Sequence, residues 1–527
     1  MEMNLITFEQ AKEIDSKTIK KGLEEKILMG LASQSAFITM LQIGLISDKF
    51  NYIFICGNGN NGGDGLALAY LMLGSNLIYK NQIQIFLKDE PKSDSAKFYS
   101  QLLIKNHLSF KPIEQFLNHD IDLQEFQKFV IIEALLGTGQ KNLPRSPYKE
   151  ILENIQNLKR DYKEKIIHIA LDVPAGLSEE YESFDEKEFL NFFNLPIPDY
   201  IFNFGLKKLV LVHPLIYANS KIYILPCGFD PEEQNNIIKN HAEFIEWQKV
   251  NNFNIFKKQP YEHKYQSGYG WLFAGSNNME GAAILSAKSF FYSGGGILHL
   301  IHFSNKREYF LNNEPSIIFH HIDEWNHNYK DLKLPKCIVI GPGLSKNDLE
   351  KYKNNLINFL EFLINHQIYP MIVLDAYATA LVLEKNYPNA LKPFTILTPH
   401  VGEWKQLLKG KNPYLASNWK QIIELHKELG TSILIKGSIS FFLPSIYFEG
   451  NSKVYVWSYQ NPHLSVAGSG DVLTGLILSY FSKITEFSFN NLIQGINTIL
   501  SLQNQLADFH STAFEQIKNL VNVIYNK

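Results

Sequence analysis

Short apolar, β-rich runs alternate with helix-like patterns along the whole chain. Thr7-Phe8-Glu9-Gln10 reads as a capping box, in which the Thr hydroxyl and the Gln side chain satisfy exposed backbone donors, and predicts a long helix running to about Leu31. Strands are then expected at Tyr52 to Cys56, Ile83 to Phe86, Phe129 to Ile132, Ile167 to Leu171, Tyr200 to Asn203 and Lys221 to Leu225. From Pro226 to Gln259 the pattern weakens around the polar run Pro231 to Asn236, and a linker is expected over 231–250. A second series follows, at Trp271 to Ala274, Ile297 to Ile301, Cys337 to Ile340, Met371 to Leu374, Thr395 to Leu397 and Ser432 to Ile435. Such alternation predicts α/β domains with mostly parallel sheets covered by helices, over 1–230 and 251–527.

Length agrees, since 527 residues exceed what one hydrophobic core ordinarily holds. With 45% hydrophobic and 20% charged residues the chain is globular in type. A net charge of −3 offers no basic field for nucleic acid or an anionic membrane, so any anionic ligand must be held locally. Three scattered cysteines suggest neither a disulfide framework nor a zinc site. No apolar run approaches the roughly 20 residues of a membrane span, and the start Met1-Glu2-Met3-Asn4 lacks a secretory signal. A soluble, cytoplasmic protein without nucleic-acid or membrane partners is expected, and assembly into a homo-oligomer with it.

The candidate chemistry lies at strand ends, where open α/β sheets bind ligands. In the first half, the strand ending at Cys56 runs into Gly57-Asn58-Gly59-Asn60-Asn61-Gly62-Gly63-Asp64-Gly65 and then a helical run. Glycines let the backbone approach a phosphate, and the helix start supplies free N–H groups. The run matches G-x-G-x-x-G, yet it carries more amide and carboxylate groups than a pyrophosphate needs, and no acid follows about 20 residues on. Two further strand ends, Glu133-Ala134-Leu135-Leu136-Gly137-Thr138-Gly139 and Asp172-Val173-Pro174-Ala175-Gly176, place polar groups on the same edge, so Asn61, Glu133 and Asp172 could converge.

These three runs resemble the NAD(P)H-hydrate epimerase domain, whose members interconvert the R and S epimers of hydrated NADH and NADPH. The resemblance covers roughly residues 1–230. It implies that Asn60, Asn61, Gly62, Gly63 and Asp64, with the loop Gly137, Thr138, Gly139, Gln140, Lys141, Asn142 and Leu143, touch the hydrated cofactor. It assigns the epimerisation chemistry to Asp172, and a potassium ion to Asn61, Glu133 and Ala175. The family usually has Asp at Glu133 and Ser at Ala175, which here removes a hydroxyl near the ion, and Gly30-Leu31 replaces a Glu-Asn pair.

In the second half, Ala274-Gly275-Ser276 enters a helix carrying Ala283, Ile340-Gly341-Pro342-Gly343 ends a strand, and Leu374-Asp375-Ala376-Tyr377 ends another with a carboxylate. Thr398-Pro399-His400-Val401-Gly402-Glu403 adds a His and a Glu. Lys436-Gly437-Ser438-Ile439-Ser440 adds a cation, a flexible Gly and two hydroxyls suited to phosphate and ribose. Most telling is Gly468-Ser469-Gly470-Asp471 before an amphipathic helix, where backbone N–H groups form an anion hole and Asp471 could accept a proton from an attacking hydroxyl. In order, these runs resemble the ADP- or ATP-dependent NAD(P)H-hydrate dehydratase domain of the ribokinase-like superfamily, over roughly residues 240–527. By resemblance, Lys436, Gly437, Ser438, Ile439, Ser440 and Gly470 bind the adenine nucleotide, while Ala283, Gly343, His400 and Asp471 bind the (6S)-hydrate. Tyr377 stands where the family commonly has a second Asp.

Together the resemblances imply an N-terminal Rossmann-like three-layer αβα sandwich fused to a C-terminal ribokinase-like three-layer αβα sandwich. They imply a bifunctional repair enzyme acting on NADHX and NADPHX with Mg2+, K+ and ADP or ATP. Asp471 would activate the 6-hydroxyl for phosphorylation, and loss of phosphate would restore the dihydronicotinamide. The alternative is a ribokinase-like small-molecule kinase with a non-catalytic N-terminal binding module.

Overall fold

The computed structural model describes residues 3–118, 128–141, 144–179, 195–240, 243–415, 418–448, 453–459, 461–507 and 511–525. The chain divides into two compact units, whose bodies are Met3–Phe244 and Ile245–Pro413 with Asn418–Lys527. Both are α/β, as the alternating pattern predicts.

In the first unit seven parallel strands lie in the order Phe110–Pro112, Ile83–Leu87, Phe50–Cys56, Lys128–Ala134, Ile166–Leu171, Tyr200–Phe204, Lys221–Leu225. Chain order reverses at Phe50–Cys56, the topological switch beside which α/β sheets leave a ligand crevice. The central strands are continuous apolar runs because both faces are covered. One face packs with the helices Glu25–Gln42, Asn60–Gly74 and Asp94–Lys105, and the other with Ile113–Leu117 and Tyr148–Asp161.

Two expectations are corrected here. The Thr7/Gln10 capping box is present, but the helix stops at Lys20, Gly22 adopts φ +110°, and a second helix runs Glu25–Gln42. That backbone conformation is one L side chains rarely adopt, so the glycine ends the first helix where hydrophobic spacing alone suggests continuity. The expected linker contains a helix, Pro231–Asn240, whose Ile237 is buried with Ile6, Ala11 and Ile14. Asp230 Oδ1 accepts from Glu233 N at 3.0 Å, with Pro231 in the first turn, so the polar run is a capped helix start with an exposed face.

In the second unit the strands Ile318–His321, Ile297–His302, Tyr269–Ala274, Cys337–Ile340, Met371–Leu374, Thr395–Leu397 and Ser432–Ile435 are parallel in that order. Ser440–Leu443 and Val454–Trp457 extend the sheet antiparallel. Side chains alternate faces. Leu272 and Ala274 join the core under the helices Glu280–Tyr292, Ser469–Lys483, Phe489–Leu506 and Ala513–Tyr525. Trp271 and Phe273 point the other way, with Trp271 stacked on Phe359 at 5.5 Å and Phe273 edge-on to Trp325 at 4.8 Å. Both units place their motif loops at the carboxyl ends of parallel strands.

Candidate active sites

In the first unit the loops after Cys56 and Ala134 meet at the switch point. Gly57 N donates to Ala134 O at 2.9 Å, and a Cβ on Gly62 would lie 1.9 Å from Gly57 O, so only glycine admits this approach. Beside them opens a cavity of about 440 Å³, walled by both loops and by residues of the helices Phe8–Lys20 and Glu25–Gln42. It brings together Asn60, Asn61, Asp64, Gly137, Thr138, Gly139, Gln140 and Asp172. Gly62 and Gly63 are buried beneath it. Lys141 is exposed at the end of the second loop, and Asn142 and Leu143 lie outside the described residues. Gln140 spends its amide internally, with Oε1 accepting from Gly176 N at 2.7 Å and Nε2 donating to Pro174 O at 3.1 Å.

Asp172, at φ +61°, is turned into the cavity, and its Oδ1 accepts from Lys208 Nζ at 2.6 Å and from Phe204 N at 3.3 Å. The Lys208 side chain is 3% exposed, which strengthens this charge-assisted bond. Three more carboxyls line the wall. Burial, with the charges of Asp172 and Asp15, pushes Asp64 well above the usual carboxylate range. Burial also lifts Asp15 to about 6, against the attraction of Lys208. Glu25, the third acid on the wall, accepts from Asn60 Nδ2 at 2.7 Å and Ser95 Oγ at 3.0 Å. One site thus holds a carboxylate bonded to a buried lysine beside carboxyls whose proton affinity burial raises.

The expected potassium ligands meet a different environment. Glu133 is buried, with Oε2 2.8 Å from His168 Nε2 and Oε1 accepting from Ala175 N at 2.6 Å. Asn61 Nδ2 donates to Leu136 O at 3.0 Å, and its buried Oδ1 has no hydrogen-bond partner among the described residues. Ala175 has only a carbonyl to offer. The carboxylate that would neutralise a cation has both oxygens committed to protein groups, so this set does not fit a potassium ion.

In the second unit the strand ends bring Asp375, Thr398, His400 and Lys436 to one edge. Asp375 Oδ1 accepts from Lys436 Nζ at 2.6 Å and Thr398 Oγ1 at 2.7 Å, and backbone pairing sets His400 beside Lys436. Gly468 takes φ +90°, and the helix Ser469–Lys483 begins at once. Among the described residues the N–H groups of Gly470 and Asp471 have no acceptor, leaving the anion hole open. Lys436 Nζ lies 3.5 Å from where a Gly470 Cβ would stand, so the cation sits against the helix start. Burial, and then the charge of Asp375, raises Asp471 to about 7 despite Lys436.

The other expected residues are arranged as follows. Gly437 and Ser438 are exposed, Ile439 is buried, and Ser440 opens the antiparallel strand, its Oγ accepting from Gly437 N at 3.4 Å. Gly343 packs over Met279, where a Cβ would lie 2.4 Å from a carbonyl oxygen. Ala283 is fully buried, so it contributes room and not a polar contact. His400 caps the helix Val401–Leu407, its Nδ1 accepting from Gly402 N at 3.0 Å, and its side chain is 61% exposed. Tyr377 is exposed. Sequence reasoning missed Lys208, Asp15, Glu25 and His168. Lys208 follows a strand and Asp15 sits four residues after Ala11 on one helix face, signals that become specific only when the elements are assembled.

A family model described as YjeF-related protein N-terminus matches residues 25–208, and one described as NAD(P)H-hydrate dehydratase matches residues 271–495. The bifunctional NAD(P)H-hydrate repair enzyme Nnr of Dictyoglomus turgidum is 26% identical over 524 residues, covering 94% of each chain. The NAD(P)H-hydrate epimerase of Elusimicrobium minutum is 31% identical over 186 residues, covering 33% of this chain and 77% of that protein. The ADP-dependent (S)-NAD(P)H-hydrate dehydratase of Staphylococcus aureus is 27% identical over 255 residues, covering 48% of this chain and 85% of that protein. The Asp172–Lys208 site falls in the epimerase-like stretch and the Asp471–Lys436 site in the dehydratase-like one, and the chain belongs to the NAD(P)H-hydrate repair family in its fused, two-part form.

Proposed function

We propose that the chain epimerises (6R)-NAD(P)HX to the S form in its first unit and dehydrates (6S)-NAD(P)HX to NAD(P)H in its second, with ADP as phosphoryl donor. The observation that carries this reading is the pairing of two separate carboxylate–lysine sites, each at the carboxyl edge of a parallel sheet, in the order of the fused relatives.

In the second unit Asp471, raised to about 7, is matched to proton abstraction near neutrality and takes the proton of the 6-hydroxyl. The freed oxygen attacks the terminal phosphorus of ADP as the bridging P–O bond breaks and AMP leaves with its electron pair. The open N–H groups of Gly470 and Asp471, the helix terminus and Lys436 receive the growing negative charge. Phosphate then leaves C6 with the C–O electron pair, N1 supplies electrons to C6, and loss of a C5 proton restores the ring. Among the described residues no cluster of three His, Cys, Asp or Glu could hold a metal alone. Mg2+ would therefore ride on the nucleotide phosphates beside Asp375 and Asp471, where it would neutralise phosphate charge.

In the first unit Asp172, oriented by its bond from Lys208, takes the 6-hydroxyl proton of the R epimer. The C6–N1 bond opens to an aldehyde as the protonated Asp64 supplies a proton to nitrogen. Rotation and closure on the other face give the S epimer, with both protons returned. Asn60, Thr138 and Gly139, which line the same cavity, hold the nucleotide in this reading.

Purified chain mixed with each hydrated epimer and ADP should regenerate the dihydronicotinamide absorbance. Both epimers should be consumed, and ATP in place of ADP tests the donor. A stable phosphorylated product with no NADH would instead favour an ordinary small-molecule kinase.

A further inference from the structure

The potassium ion implied by the family would bridge a strand end and the Asp172 loop. We propose that in this chain the buried Glu133–His168 hydrogen bond takes the place of that ion, so that the first unit holds its catalytic loop without an alkali cation.

The argument begins with register. Ile131 pairs with His168 and Glu133 with Ala170, so Glu133 and His168 lie on one face of neighbouring strands as diagonal neighbours. Side chains at that diagonal meet only if long enough, and the extra methylene of Glu over Asp supplies the reach. The result is a 2.8 Å contact between groups that are 1% and 0% exposed. His168 turns Nε2 towards Glu133, and its Nδ1 is buried with no partner among the described residues. The other Glu133 oxygen takes the Ala175 N–H at 2.6 Å, so the carboxylate itself ties the sheet to the loop that begins at Asp172.

Gln140 braces the same loop through Pro174 O and Gly176 N, so protein groups grip it at Pro174, Ala175 and Gly176 in succession. The two family departures at this place agree with it: Glu133 reaches His168, and Ala175 offers its N–H to Glu133 in place of a hydroxyl to an ion. Of the three expected ligands' side chains, Asn61 Oδ1 alone has no partner among the described residues, and with the Ala175 carbonyl it offers only neutral oxygens, which do not supply the charge that a committed Glu133 withholds. The expectation of an ion rests on the family membership, whereas its replacement rests on these contacts.

The test uses the full chain dialysed free of potassium. Thermal unfolding in KCl and in choline chloride at equal ionic strength should give the same midpoint. Crystals soaked in thallium(I), a potassium stand-in, should show no anomalous density between Asn61 and Glu133. An ion site filled to about 100 times its dissociation constant would raise the midpoint by several degrees. Such a potassium-specific rise, or thallium density at that place, would overturn the proposal. His168→Leu should lower the midpoint in both salts, and His168→Gln, which keeps an N–H donor, should recover part of the loss. A His168→Leu protein as stable as the parent would count equally against it. If His168→Leu fails to fold, the parent measurements still decide. None of these readouts needs catalysis, so absent epimerase activity would refute the proposed function and leave this inference standing.

Discussion

Replacing Asp471 by Asn separates the cost of burying this carboxylate from its use as the proposed base. Burial and the neighbouring Asp375 move this group from 3.8 to about 7. That displacement, about three powers of ten in proton affinity, corresponds to about 4 kcal/mol. Water reaching the half-buried carboxyl reduces the figure to about 2 to 3 kcal/mol. The sign follows from which state prefers the proton. The folded chain favours the protonated form and the unfolded chain ionises near 3.8, so the stability this group contributes is complete below 3.8 and is lost as pH rises to about 7. Above that, the folded enzyme carries an unfavourable charge. Asp471→Asn removes it, and the apparent Tm should rise by roughly 5 °C at about pH 8, and by roughly half as much at about pH 5.5. Dehydration should fall by about two to four powers of ten, with epimerisation intact. Thermal unfolding at both pH values, alongside the absorbance assay, measures both effects. A lower Tm at pH 8, or the same gain at both pH values, would refute the claim that a strained buried carboxylate sits at this helix start.

Asp375→Asn removes the charge that helps raise Asp471 and frees Lys436 to lower it further, so the acid limb of the dehydration kcat/KM profile, placed near 7 in the parent, should move to lower pH. Lys208→Met should slow epimerisation at neutral pH by about two powers of ten or more, leave dehydration of the S epimer unchanged, and be detected by supplying each epimer separately. Gly62→Ala places a methyl carbon 1.9 Å from Gly57 O, so the first unit should lose about 2 kcal/mol or more of stability, read by urea unfolding.

How far the fold could be read from the chain depends on which physical signal each element carries. Central strands such as Cys337–Ile340 and Met371–Leu374 match their expected bounds because a parallel strand covered on both faces must be apolar throughout. Edge strands lack that pressure. Phe110–Pro112 contains Lys and Pro, Ile318–His321 contains two histidines, and neither stands out from a loop. Ser440 was legible as a polar group after a glycine, but not as the first residue of an antiparallel strand. The sites show the same division. Asn61, Asp64 and Asp172 sit in glycine-bearing strand-end runs and Asp471 in a glycine-bearing helix start, where spacing along the chain encodes geometry. Lys208, Asp15 and His168 reach their partners from other elements, at sequence distances of 36 residues for Lys208–Asp172 and 35 for His168–Glu133. No local pattern marks them.

The bond between Lys436 and Asp375 ties two equilibria together. One ammonium balances Asp375 in the empty site, and in the proposed reading the same ammonium turns to the phosphates of the nucleotide. When it turns, Asp375 loses its counter-charge beside Asp471, and the pair of carboxyls holds a proton more tightly. Nucleotide binding should therefore draw protons from the medium, and by reciprocity nucleotide affinity should fall as pH rises through the range where that proton is lost. In calorimetry the heat of ADP binding would then depend on the ionisation enthalpy of the buffer, a signature of proton traffic visible before any bond in the substrate changes.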